Sequence, residues 1–285
     1  MHPTHKIAVL LACHNRADIT IRGLLSLQNS IDTTPGLKAE IFLVDDGSTD
    51  GTTKKVTEKF PHIHVIQGDG TLFWNGGMCL AYQHARKHDA DFDAYVLFND
   101  DVQVIKEKFH TYMDDFFSMN IKEAAILASA MKAPDSESFT YSGYRRTSKF
   151  RPLALSRVYP NSSLQRCDTF NGNLVTLPAD FFHEVDGLDP AYHHAYGDID
   201  LGFVAGQNGV AVYLAPEAVG ICEANTPISA RLSGKTLTER RKILFGASNP
   251  VRDYIHFVRK HGHSVLWPIL VTRNVASRLV QMLKR

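Results

Sequence analysis

Five short apolar runs, at 7–12, 40–44, 64–67, 94–98 and 124–129, alternate with stretches of helical periodicity at 18–30, 52–60, 78–88 and 106–119. The last helix shows the pattern well, with Phe109, Tyr112, Met113, Phe116 and Phe117 on one face. Parallel neighbours need a crossover of about a dozen residues, usually a helix, whereas antiparallel neighbours close with a tight turn. The alternation therefore predicts an α/β fold with a mostly parallel central sheet flanked by helices. Asp18 is the expected cap of the first helix. The alternation then stops. Residues 132–166 are rich in Ser, Pro, Tyr and Arg and read as loops and short antiparallel strands. Strand character returns at 174–177, Pro178 starts a helix to Val185, another helix follows Asp198, and 210–214 is a late strand. Residues 223–236 are polar, contain Pro227 and Gly234, and form a candidate lid. The last fifty residues are helical and basic.

A chain of 285 residues holds one large domain with additions, or two modest ones. A formal net charge of +1 gives no reason to expect a nucleic-acid partner. Cys13, Cys79, Cys167 and Cys222 are scattered with no CxxC pair, which predicts reduced thiols in the cytoplasm rather than a zinc or redox motif. The start, from Met1, His2 and Pro3 to Lys6, lacks an apolar core segment, so no signal peptide is expected. No apolar run approaches the ~20 residues that span a bilayer.

Acidic and polar residues collect where predicted strands end. Open α/β sheets bind ligands in the crevice outside those ends. After the fourth run stand Asn99, Asp100 and Asp101. Adjacent carboxylates repel unless a cation sits beside them. A hard divalent ion, Mg²⁺ or Mn²⁺, carrying a diphosphate is the natural occupant, and a solvated turn is the alternative. After the second run come Asp45 and Asp46, candidates for a nucleobase N–H or ribose hydroxyl, with an Asx turn plus helix cap as the alternative. After the first, Ala12, His14 and Arg16 suit the polar edges of a nucleotide. The glycine-rich stretch from Gly68 to Gly77 matches neither GxGxxG nor a P-loop. Gly76 is expected at a helix start facing phosphate, Trp74 and Asn75 near a sugar pocket, and Phe73 in the core. Asp198 and Asp200 flank an apolar residue at a helix start, where one caps the helix or acts as general base. His194 stands just before them.

Together LLACHNR, FLVDDGSTDGT, GTLFWNGGM, LFNDDV, NGNLVTLP and YGDIDLG resemble the family 2 glycosyltransferases, inverting and metal-dependent enzymes of the GT-A fold. The resemblance spans about 6–220, and the GTLFWNGGM and HAYGDID variants resemble the rhamnosyltransferase-like branch that builds cell-surface polysaccharide. It implies a GT-A domain over 1–222, with a nucleotide-sugar half to about 130 and an acceptor half from 131, then the lid and C-terminal helices over 223–285. It implies a UDP- or dTDP-linked donor and a glycan or lipid-linked acceptor. Asp45 or Asp46 would hold the base or ribose, Asp101 the metal, and Asp100 the ribose or a metal-bound water. Asn171, Gly172 and Asn173 would meet donor sugar and acceptor. Asp198 would be the general base, supported by Asp200 and His194. Two positions depart from the family pattern. Gly197 replaces the usual Glu, and the His that many relatives place after the late strand is absent, leaving Glu223 as a candidate third ligand, with Cys222, His193 or His194 as alternatives.

Leu266, Ile269, Leu270, Ala276, Leu279, Val280 and Leu283 form a helical stripe beside Arg273, Arg278, Lys284 and Arg285. This predicts peripheral contact of 266–285 with the inner membrane face, or packing on the catalytic domain or a second subunit. Arg231 and Lys235 are expected to close over the diphosphate. A non-catalytic nucleotide-sugar-binding scaffold and a sugar nucleotidyltransferase are the rival readings. The second is disfavoured because 13–16 is not a glycine-rich basic loop.

Overall fold

The computed structural model describes residues 4–89 and 91–284. The expectations for Met1, His2, Pro3 and Arg285 lie outside the described residues. The first half alternates as expected: β1 (His5–Cys13), α1 (Ala17–Asp32), β2 (Leu37–Asp45), α2 (Thr52–Lys59), β3 (His64–Gln67), α3 (Phe73–His88), β4 (Ala94–Phe98), β5 (Gln103–Val104), α4 (Lys106–Asn120) and β6 (Ala125–Lys132). Short strands β7 (Phe139–Tyr141), β8 (Gly143–Arg146), β9 (Leu155–Val158), β10 (Gln165–Cys167) and β11 (Thr169–Phe170) fill the irregular stretch. The chain continues through β12 (Leu174–Pro178), α5 (Ala179–Glu184), α6 (Gly197–Gln207), β13 (Ala211–Ile221), α7 (Ile228–Leu232), α8 (Leu237–Phe245), α9 (Val251–His261) and α10 (Trp267–Leu283).

The main sheet runs β10-β13-β6-β12-β4-β1-β2-β3, with β5 on β13 and β7 on β6, and β11-β8-β9 form a second sheet. β4, β1, β2 and β3 are parallel, but β12 lies antiparallel between β4 and β6. All five residues of β4 are buried, as a strand covered on both faces requires. Each large apolar side chain buried there contributes roughly 1.5–3 kcal/mol. The buried Tyr112 hydroxyl is satisfied, donating to the Leu127 carbonyl at 2.6 Å and accepting the Thr176 N–H at 3.0 Å.

Three local expectations are corrected. Asp18 does not cap α1; the Asp50 carboxylate, from the loop after β2, accepts the Ala17 N–H at 3.0 Å and satisfies that end. α3 begins at Phe73, five residues before the expected start. The Asp46 carboxylate accepts the N–H groups of Gly70 and Phe73 and winds the loop directly into the helix, with Phe73 at φ +54°. Gly77 therefore lies inside α3, where a Cβ would stand 2.6 Å from the Ala12 Cβ and hold the helix off β1. The C-terminal stripe divides between two faces of α10. Trp267, Leu270 and Val271 pack on Tyr192, Tyr254 and Phe257, and Arg278 is buried with its guanidinium on the carbonyls of Leu244 and Asn249. No helix among the described residues is long and apolar enough to cross a membrane.

Candidate active site

β1 and β4 are parallel neighbours, so their C-terminal ends open side by side on a cleft of about 520 Å³. Because β12 runs the other way, pairing Leu174 with Phe98, its preceding turn arrives at the same edge. Ala12, His14 and Arg16 thus meet Asn99, Asp100 and Asp101 and the turn of Asn171, Gly172 and Asn173, while α6 brings Asp198 into the same cleft against Gly172.

Arg16 is the cation that the paired carboxylates require. Its guanidinium donates to Asp100 Oδ1 at 2.9 Å and to Asp101 Oδ2 at 2.8 Å. Thr20 donates to the other oxygen of Asp100 at 2.9 Å, so both oxygens are engaged and the residue is 3% exposed. Burial pushes the Asp100 carboxyl up to about 6, with Arg16 pulling it down and Asp101 pushing it up. The side chain of Asp101 is one-third exposed. The buried Cys222 thiol, held protonated by burial, lies 3.5 Å from Asp101 Oδ1. Of the pair, Asp101 retains capacity for a further ligand. Mg²⁺ is commonly held by one or two carboxylates plus substrate phosphates, so this donor set fits such an ion through Asp101. Glu223 is exposed and borders a separate small pocket with Arg16, Asp101 and Cys222. The His193 ring lies against Arg252, and the backbone N–H of His193 donates to the Asp253 carboxylate, away from the cleft. Among the described residues, the one His-and-carboxylate trio with metal-binding spacing is Glu40, His64 and His88, at the far end of the strands.

Asp198 is partly exposed to the cleft. Its two oxygens accept the backbone N–H groups of Gly172 at 3.0 Å and Ile199 at 2.8 Å. Desolvation raises its pKa, and these N–H groups oppose the rise. Trp74 lies across the cleft wall, with its indole N–H on Asn99 Oδ1 at 2.8 Å. A Cβ at Gly172 would stand 2.7 Å from the Trp74 ring, so only glycine lets the indole lie there. His194, exposed at the rim, stands 6.1 Å from the Phe73 ring. The His14 ring is fixed by the Asp46 carbonyl.

Five expected site residues are spent on internal contacts. Asp45 is buried and accepts from the Ser48 N–H and the Thr53 hydroxyl, a local turn contact rather than a cleft contact. Asp46 borders the cleft, but its carboxylate is spent on Gly70 and Phe73. The Gly76 N–H bonds the Leu72 carbonyl inside α3 and is not free for phosphate. Asn75 is fully buried, and its amide donates to the carbonyls of Asp189 and Tyr192. Asp200 also points away: it takes Lys260 at 2.8 Å, His261 at 2.6 Å and the Tyr192 hydroxyl at 2.9 Å. Its support is structural, joining α6 to α9.

Sequence reasoning missed Phe73, Tyr141, Tyr196 and Asn225, all of which line the cleft. Phe73 was expected in the core; its left-handed backbone turns it outward. The Asn225 N–H donates to the Tyr141 hydroxyl at 2.9 Å, laying the segment after β13 along the cleft wall. Gly197 has a local cause. A Cβ there would fall 1.8 Å from Asn75 Oδ1, so Asn75 fills the space a side chain at 197 would need.

Several solved structures share this architecture. The mannosyltransferase PcManGT from Pyrobaculum calidifontis, in complex with GDP-Man and Mn²⁺, superposes with a TM-score of 0.57 at 14% identity, covering 98% of this chain and 75% of its own. S. aureus TarS 1–349 superposes at 0.52 with 15% identity, covering 97% and 89%, and its UDP-GlcNAc complex at 0.55 with 14%, covering 98% and 79%. At that identity the likeness shows the fold. No curated protein matches the sequence. A family model described as Glycosyl transferase family 2 matches residues 8–161, more than half of the chain, over the strands that build the Arg16, Asp100 and Asp101 side of the cleft. The protein is a member of glycosyl transferase family 2.

Proposed function

We propose that the enzyme transfers a sugar from a nucleoside-diphosphate donor to an acceptor hydroxyl with inversion, by one in-line displacement at the anomeric carbon. The observation that carries this reading is that one cleft is lined by both the Arg16-clamped carboxylate pair and the partly exposed Asp198. Asp198 takes the proton of the acceptor hydroxyl as that oxygen attacks, and its raised pKa suits it to hold that proton. Asp101 would hold a divalent ion, which would supply charge neutralisation to the leaving diphosphate. The Arg16 guanidinium favours the ionised form of Asp100 and holds both Asp100 and Asp101 in place. Trp74, Asn99 and Gly172 shape the wall between donor and acceptor. Asn171 and Asn173 flank that wall. The acceptor is a glycan or a lipid-linked glycan of surface polysaccharide, a reading supported by the GTLFWNGGM loop, whose Phe73 and Trp74 line the cleft.

Thermal-shift binding across nucleoside diphosphates, with and without Mn²⁺, on wild type and Asp101→Ala tests the donor site. Metal-dependent stabilisation by one nucleotide, lost in the variant, supports the reading and identifies the base. Absence of stabilisation by every nucleotide removes it.

A further inference from the structure

The charge of this chain is unevenly spread. Residues 224–285 carry twelve Lys and Arg against two Asp and Glu, although the whole chain has a formal net charge of +1. The basic segment is therefore opposed by an acidic remainder.

The same segment presents apolar side chains to solvent. On α10, Ile269 is 56% exposed, Leu279 43%, Val280 55% and Leu283 65%. At 100° per residue they and Ala276 share roughly a third of the helix circumference. The opposite face holds Trp267, Leu270, Val271 and the buried Arg278, so the helix is already anchored and the outer stripe has no partner among the described residues. Arg273 and Lys284 border the stripe and are exposed. α8 lies beside the end of α10, with the Arg240 guanidinium on the Met282 carbonyl. It adds the exposed Arg241 and Lys242, and Leu237, 60% exposed, at its start.

We propose that this face of α10, with α8 beside it, docks the enzyme on an anionic lipid surface. An apolar stripe bordered by lysine and arginine matches a bilayer of acidic headgroups: the stripe enters the acyl boundary while the cations stay at headgroup level. The charge imbalance selects this occupant. A second copy would bring a like-charged face against it, whereas an anionic bilayer complements it. The docking is independent of the donor chemistry in the cleft.

Co-sedimentation of the full chain with vesicles of phosphatidylcholine containing about a third phosphatidylglycerol, against phosphatidylcholine alone, tests this. Binding is expected to the anionic vesicles and to fall with added salt. Leu279→Glu with Val280→Glu is expected to abolish it. Arg241→Ser with Lys242→Ser is expected to weaken it by about thirtyfold. All four positions are exposed, so melting curves and metal-dependent hydrolysis of a soluble donor are expected to stay at wild-type values, which separates lost docking from lost folding or chemistry. Failure of the wild type to sediment with anionic vesicles overturns the proposal. So does a dimer seen by light scattering that the Leu279 and Val280 substitutions dissolve while vesicle binding persists.

Discussion

The backbone N–H of Gly172 donates to the Asp198 carboxylate across 3.0 Å, tying the turn before β12 to the first turn of α6. Turn and helix come from distant parts of the chain, and this bond sets the aim of the proposed base.

Asp198→Asn preserves the side-chain shape but removes the proton acceptor. Turnover is expected to fall by about 10²–10⁴-fold with donor affinity nearly unchanged, as measured by steady-state kinetics and nucleotide binding. Desolvation raises the Asp198 pKa, so the wild-type rate should climb with pH through a point above the ordinary carboxylate range of about 4. An equal loss of donor binding in the variant would assign Asp198 a structural role.

Arg16→Met leaves Asp100 and Asp101 without their counter-charge. Asp100 already titrates near 6 in the native fold, above its unfolded value. A raised carboxylate pKa means that the folded state holds the proton more tightly, so stability falls as pH rises from about 4 toward 6. Removing Arg16 extends that loss to higher pH. In metal-free buffer, denaturant titrations should show variant and wild type differing more at pH 8 than at pH 5. A pH-independent difference would show that Arg16 acts by packing alone.

Gly197→Ala drives a methyl group into Asn75 Oδ1. Overpacking of this kind costs about 1–3 kcal/mol. Asn75→Gly alone also destabilises, because the Asp189 and Tyr192 carbonyls lose their donor. The double variant should lose less than the sum of the two, since the clash disappears. Strict additivity in a double-mutant cycle would mean that the two positions do not share this space.

Asp189 reports on the docking of α9. Burial acts to raise its carboxyl pKa, but His256 and Lys260, each at 2.9 Å, outweigh that and hold it at about 2. With a folded pKa below the unfolded value, its stabilisation is present above about pH 4 and is lost as pH falls toward 2. Trp267 packs in the adjoining cluster, so its fluorescence should change across that window and the Asp189→Asn variant should lack that transition. An identical acid transition in both proteins would rule the contact out as its cause.

The parallel half of the sheet was legible because strand and helix periods alternate cleanly through 129, and the carboxylates at 45–46 and 100–101 fall where such strands must end. Which carboxylate faces the cleft was not legible. Asp198 and Asp200 are both near the start of one helix, yet they point to opposite sides, and the partners that hold Asp200 lie sixty residues further on. Asp45 and Asp46 are adjacent on an alternating strand end, so only one reaches the cleft. Asn75 is a polar residue in a polar motif, and nothing in its neighbourhood shows that it closes a distant loop. The antiparallel β12 follows an irregular stretch, where strand direction has no crossover helix to reveal it.

The first turn of α6 holds Asp198 toward the cleft and Asp200 toward α9, which packs against α10. That turn thus carries the proposed base at one end and the tie to the C-terminal helices at the other. The proposed docking face and the proposed base are thereby joined through one turn of backbone.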